Sequence, residues 1–335
     1  MTVKEYIESY SPRYRGHTPG HKGKLAPGDI TEILDNFPGD LIREAEKRAE
    51  ALYGAPHLRF LTNGSSIGIK ASVLALGEDY ITDGYCHRAV TEASRLARVS
   101  CLKLNNPTAE NGLPELTTAE MLKKAMESSG IKNAVIQYPD YYGRTCDLES
   151  IASVVHGRGG TLICDSAHGA HFALRPDLFP TSAVALSDMC NMSAHKTLGA
   201  MTQTAFLACR REWREKIDEK LDDLGTTSPN YLLIASLESA VIEAQEKKSD
   251  YDRLKNFSDE LRAQFTCLEN DDFTRLVVDF GEGNGERSAY LLKGYGVVCE
   301  KYDNRRVVFI LTPYDGDEEL KALVGAIKKT IKDLK

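Results

Sequence analysis

The sequence has no apolar run approaching the ~20 residues that a membrane-spanning helix needs, and its opening, MTVKEYIESYSPRYRG, has no signal-peptide core. It has no C-x-x-C pair. Its cysteines, at 86, 101, 146, 164, 190, 209, 267 and 299, lie far apart and read as small buried residues of a reduced, cytoplasmic protein. It has no basic patch either. Lys and Arg are scattered and the net charge is −7, so neither a nucleic-acid backbone nor a membrane surface is an expected partner. Internal repeats and low-complexity tracts are missing too. No metal is expected. His168 and His171, near Cys164 and Asp165, are residue types that suit zinc, but no ligand spacing singles them out. His17 and His21 are four apart, yet Pro19 and Gly20 between them disfavour the helix that would align them.

What is present is ordinary globular composition over 335 residues, enough for a large domain and a smaller one. Glycine and proline concentrate in 16–28 (GHTPGHKGKLAPG), which excludes regular helix there. A helix is expected over Leu41–Tyr53 with Gly54 as its stop. Strands are expected at 57–61, 80–82, 101–104, 134–138, 161–164, 183–186, 188–192 and 204–208, with helices such as 116–128 and 147–155 between them. That alternation predicts an α/β domain with a mainly parallel sheet covered on both faces. Ligands in such sheets sit at the C-terminal strand ends, which points to loops 62–66 and 165–169. After Ser228-Pro229 the pattern changes. One long helix is expected over 231–252, then a second helical stretch, strands at 276–280, 297–301 and 307–312, and a last helix striped by Leu320, Leu323, Ile327, Ile331 and Leu334. The expected division is a large domain over 1–229 and a small α+β domain over 230–335.

Three segments carry chemistry. SAHKT at 193–197 follows a strand-like stretch, and a lysine there, facing a ligand cleft, can form an imine with an aldehyde cofactor. Ser193, His195 and Thr197 add donors for a phosphate; taken alone, the pentapeptide is also what a surface loop would look like. In TLICDSAHGAHF, Asp165 stands directly after a buried apolar run, where a carboxylate is costly unless it meets a cation. A protonated pyridine nitrogen would be such a cation; an N-cap or turn role is the plain alternative. In LTNGSS, Gly64, Ser65 and Ser66 lead from strand into helix, where backbone amides and two hydroxyls make a phosphate cup. Gly64, Ser66 and Gly68 also fit G-x-S-x-G, the nucleophile elbow of α/β-hydrolases, but little upstream sequence reads as strand and Asp165 and Lys196 would then have no purpose. Gly23-Lys24 resembles a P-loop only in part, since Thr18 and Leu25 replace a glycine and the Ser/Thr.

Taken in order, the segments resemble the Orn/Lys/Arg decarboxylase family of fold-type I pyridoxal 5′-phosphate (PLP) enzymes. The matching text is HTPGHKG at 17–23, DITE at 29–32, TNGSS at 62–66, His87, YPDYYG at 138–143, DSAH at 165–168, SAHKTL at 193–198 and TTSPNYLLIAS at 226–236. The resemblance implies an aminotransferase-like three-layer fold and PLP as cofactor. It places Lys196 as the Schiff-base lysine and Asp165 on the pyridine nitrogen, with His87 stacked on the ring and Ala167 against its other face. The turn at Gly64, with Ser65, Ser66, Ser193 and His195, would hold the phosphate, and His168 completes the aspartate segment. Ser228, with Thr227 beside it, would reach the phosphate from the partner subunit of a homodimer. The sequence departs from the family at Ser166, where a glutamate is usual, and in the residues around His87. The family also usually continues into a further C-terminal domain beyond the equivalent of Lys335. The implied function is decarboxylation of arginine, lysine or ornithine. Transamination or other Cα chemistry, and PLP binding without turnover, are the alternatives.

Overall fold

A computed structural model describes residues 1–30 and 41–335; Thr31 and Glu32 of the DITE segment lie outside them. The chain forms two compact units. The first comprises Met1–Tyr138, Cys146–Pro176 and Thr181–Gln245, and the second Pro139–Thr145, Asp177–Pro180 and Glu246–Lys335.

The first unit holds strands β1 (His57–Leu61), β2 (Tyr80–Thr82), β3 (Cys101–Lys103), β4 (Asn133–Gln137), β5 (Leu162–Asp165), β6 (Met189–Met192) and β7 (Ala205–Cys209). They form one sheet in the order β1-β7-β6-β5-β4-β2-β3. From β3 to β6 the neighbours are parallel, each reached through a helix, as the alternating pattern predicts. β7 runs antiparallel to both β6 and β1. The central strands read LICD and MCNM without alternation because both of their faces are covered. One covering layer packs Ile69, Val73 and Leu76 of the helix Gly64–Leu76 with Val90, Val135, Ile163 and Leu207. Gly77, at φ 63°, closes that helix, and the chain re-enters the sheet three residues later.

The second unit is a three-stranded antiparallel sheet in which β10 (Arg306–Ile310) lies between β8 (Arg275–Asp279) and β9 (Lys301–Tyr302). Its last helix, Asp317–Leu334, buries Leu320, Leu323 and Ile327 as expected. Ala326 and Thr330 complete the buried stripe, while Ile331 and Leu334 remain half-exposed, because a repeat of 3.6 residues drifts off a fixed seven-residue spacing.

Four expectations change. The apolar run Ala183–Leu186 is a single helical turn, not a strand. Only Ala183 is buried there, and so short a run cannot be told from helix by pattern. The long helix ends at Glu246, and a separate helix spans Asp250–Gln264. The strand expected at 297–301 shrinks to Lys301–Tyr302, because Val298 is exposed and Gly296, at φ 83°, turns the chain just before it. The helix Tyr231–Glu246, read as the start of the small domain, groups with the large unit. Its Tyr231, Ile234 and Ala235 pack on Val3, Tyr6, Ile30, Leu41 and Ala45, and buried Glu238 takes Val3 N–H at 2.6 Å and Arg48 at 2.6 Å.

Candidate active site

Asp165 is the last residue of β5, in register with Gln137 of β4 and Asn191 of β6. Burial raises its carboxyl pKa, against the opposing pull of the Lys196 and His87 charges, so all three groups share one electrostatic neighbourhood. The loop after it is tied down on three sides. Ala167 N–H donates to Asp165 Oδ1 at 3.3 Å, Ser166 N–H to Asn191 O at 2.8 Å, and the Tyr53 hydroxyl to Ala170 O at 2.8 Å. Lys196 sits on the one-turn helix Ala194–Thr197 that follows β6 directly. Its Nζ lies 3.1 Å from Nε2 of buried His168. An ammonium can only donate, so while Lys196 is charged this His168 nitrogen is the acceptor. His87, exposed, begins the helix Arg88–Ala97 and accepts Ala89 N–H on Nδ1 at 3.2 Å.

A second cluster forms where β1 runs into the helix Gly64–Leu76. Gly64 takes φ +74°, and Ser65 Oγ meets the Oγ of buried Ser193 at 2.9 Å. Asn63 occupies the N-cap position without a capping side-chain bond, so the Ser65 and Ser66 amides keep the free donors of a helix start. Ser193 stands at this helix start and Lys196 three residues on, so one short segment reaches both clusters. His195, on the same turn, is half-buried. Thr227 and Ser228 are exposed, with Ser228 N–H bonded to Thr226 Oγ1 at 3.1 Å. Thr226 and Pro229 line a cavity with Thr62 and Asn63, and neither Thr227 nor Ser228 lines it.

The nucleophile-elbow pattern has a packing explanation. A Cβ on Gly68 would stand 2.1 Å from Asn191 Oδ1, so the glycine lets the helix lie against β6. Asn191 is fully buried, donates to Ser72 Oγ at 3.1 Å, and leaves Oδ1 without a hydrogen-bond partner.

Sequence reasoning passed over three residues. Asn191 is the polar exception in an apolar strand. Asp83 stands just after the buried strand β2, much as Asp165 ends β5, so the same signal marks it. It accepts Gln137 N–H at 2.7 Å and the Thr117 hydroxyl, and burial pushes its pKa up to about 6, with the Asp165 charge adding to the rise. Gln203 carries no sequence signal. Its backbone alone, at φ +83°, sets it apart.

The two clusters offer a buried carboxylate and an amine at one end, and an open helix start with hydroxyls at the other. A phosphorylated aldehyde with a basic ring nitrogen fits that pair of ends. Residues 33–280 match the Orn/Lys/Arg decarboxylase major domain. The chain is 30% identical to the uncharacterized protein YaaO of Bacillus subtilis (strain 168), over 91% of this chain and 72% of that one. It is 25% identical to an arginine decarboxylase of Bacillus anthracis, over 93% and 72%. In fold it is similar to the constitutive lysine decarboxylase of E. coli, with a TM-score of 0.81 at 17% identity, covering 99% of this chain and 60% of that one. It is also similar to a structure described as SPT with PLP, with a TM-score of 0.74 at 13% identity, covering 99% and 83%. The fold is that of the fold-type I PLP enzymes, PLP is the cofactor, and the chain belongs to the Orn/Lys/Arg decarboxylase family.

Proposed function

We propose that this protein decarboxylates a basic amino acid, arginine, lysine or ornithine, using PLP held on Lys196. The observation that carries the proposal is the buried Asp165 within the electrostatic field of Lys196, with Ser193 linking that lysine to the open helix start. Asp165 keeps the cofactor's ring nitrogen protonated, which offsets the cost of burying a carboxylate. PLP supplies the electron sink that makes a bond at the substrate Cα breakable. Ser65, Ser66, Ser193 and His195 hold the phosphate with the turn at Gly64, while His87 and Ala167 bracket the ring. In this proposal Nζ of Lys196, which has His168 Nε2 at 3.1 Å as a partner, returns a proton to Cα after CO₂ leaves. The choice of a basic substrate rests on the arginine decarboxylases among the relatives.

Two chains complete the site in this proposal, with Ser228 and Thr227 projecting from their exposed loop to the partner's phosphate. Hybrids of Lys196→Ala and Ser228→Ala chains then recover activity that neither parent shows. The eight free cysteines, four of them buried, fit a reducing cytoplasm.

Substrate deuterated at Cα tests the reaction. Incubation with labelled arginine, lysine and ornithine is expected to release CO₂ and leave the deuterium in the amine product. A keto acid without CO₂, or an amine stripped of deuterium, would replace decarboxylation with transamination or another Cα reaction.

A further inference from the structure

Gln203 is exposed, sits in a backbone region that side chains rarely adopt, and still makes three bonds to the turn before the helix Gly64–Leu76. Its carbonyl accepts Gly64 N–H at 2.7 Å. Its side-chain amide donates to Thr62 O at 2.6 Å and to Asn63 Oδ1 at 3.2 Å. The next residue, Thr204, receives Ala194 N–H on its carbonyl at 3.1 Å, at the start of the turn that carries Lys196. The residues just before β7 therefore touch both clusters of the site.

The bond to Asn63 has a specific consequence. Asparagine is among the strongest N-cap residues because its side-chain oxygen accepts the N–H of the second or third helical residue. Those residues here are Ser65 and Ser66, whose amides the cofactor phosphate needs. Asn63 Oδ1 is instead occupied by Gln203, and Asn63 makes no capping bond. We propose that Gln203 is a positioning residue for the cofactor phosphate, holding Asn63 off the helix start it would otherwise cap and so leaving the Ser65 and Ser66 amides open. This rests on the assignment of that helix start as the phosphate cup. The strained backbone fits the role, since residues with φ > 0 persist where the surroundings enforce them and cluster at binding sites.

The test compares PLP with pyridoxal, which lacks the phosphate, by titrating the cofactor-free protein and following visible absorbance. The quantity of interest is the ratio of the two dissociation constants. Gln203→Gly suits φ +83° and keeps the carbonyl bond to Gly64, so it removes the side-chain contacts alone. In that variant the ratio is expected to fall about tenfold, which is about 1.4 kcal/mol and typical of a single N-cap bond. Adding Asn63→Ala, which removes the competing cap, should restore the ratio to within about threefold of wild type; Asn63→Ala alone should leave it unchanged. A ratio unaltered by Gln203→Gly, or a loss that Asn63→Ala does not restore, overturns the proposal. A general loosening of the fold would weaken both ligands alike, keep the ratio, and so count against it. If the wild-type protein itself does not prefer PLP to pyridoxal, or if Ser193→Ala leaves the preference intact, the cup assignment fails instead.

Discussion

In the proposed site, the ends of β5 and β6 and the β1/β7 edge act by opposite means. At the former, side chains do the work. Asp165 ends β5 and Lys196 sits on the single helical turn after β6, and the residue type at each position decides the chemistry. At the latter, backbone does it. A positive φ at Gly64, another at Gln203 and a helix start without a capping side-chain bond make up the proposed phosphate site. The first kind of site fails when its functional group is replaced; the second fails when its shape is.

The sharpest way to break the comparison is Lys196→Ala. Turnover should fall by on the order of a thousandfold or more, while a folded protein retains PLP through its phosphate. Borohydride treatment of the wild type followed by peptide mapping should mark Lys196, and a mark on another lysine would refute its role. Asp165→Asn comes next, with turnover expected to fall about a hundredfold as the ring nitrogen loses its partner. The cofactor-free variant should melt no lower than wild type, because the cost of burying this carboxylate outweighs the pull of the Lys196 and His87 charges. Activity within a few-fold of wild type would reduce Asp165 to a structural role.

Gly68→Ala probes the backbone side. A methyl group 2.1 Å from Asn191 Oδ1 should cost about 1–3 kcal/mol of stability. It should also weaken PLP more than it slows turnover of the loaded enzyme, since it displaces the helix that offers the amides. Denaturant unfolding and a PLP titration read the two effects; unchanged stability would mean that the helix and β6 are less tightly packed than described.

The last test, which leaves turnover aside, sharpens the side-chain half. The Asp83 pKa is raised from 3.8 to about 6, so the folded state holds its proton more tightly than the unfolded chain does. Burying the ionised group then costs nothing below pH ~4, grows between about 4 and 6 and stays constant above, reaching about 3 kcal/mol at most. Relative to Asp83→Asn, wild-type stability should decline as pH rises through that window. A stability difference that is flat in pH would show that Asp83 is ionised at no cost.

Much of this was legible. The parallel strands and the helices between them follow from apolar runs bounded by glycine and polar residues. Asp165 announces itself because a carboxylate after LIC has no inexpensive place to go. The limits are equally physical. AVAL at Ala183–Leu186 is too short for its period to be read, and helix Tyr231–Glu246 joins the large unit through contacts with the first fifty residues, which no local window contains. Gln203 was missed because its role lies in a dihedral angle and in partners about 140 positions away.

That last separation has a consequence for how the protein is made. Leu61 of β1 pairs with Ala205 of β7, so the edge strand that delivers the Gly64 turn has no neighbour in the sheet until residue 205 has been synthesised. At about 5–20 residues per second, the ribosome takes on the order of ten seconds to cover that interval. During it, Asp83 and Asp165 leave the exit tunnel well before the turn that holds the phosphate can close. A nascent chain can therefore assemble its parallel strands in order of emergence, but it cannot grip a cofactor until the antiparallel strand arrives. Closing so long a loop carries an entropic cost that rises only slowly with its length, so what β7 imposes on assembly is above all an order of events.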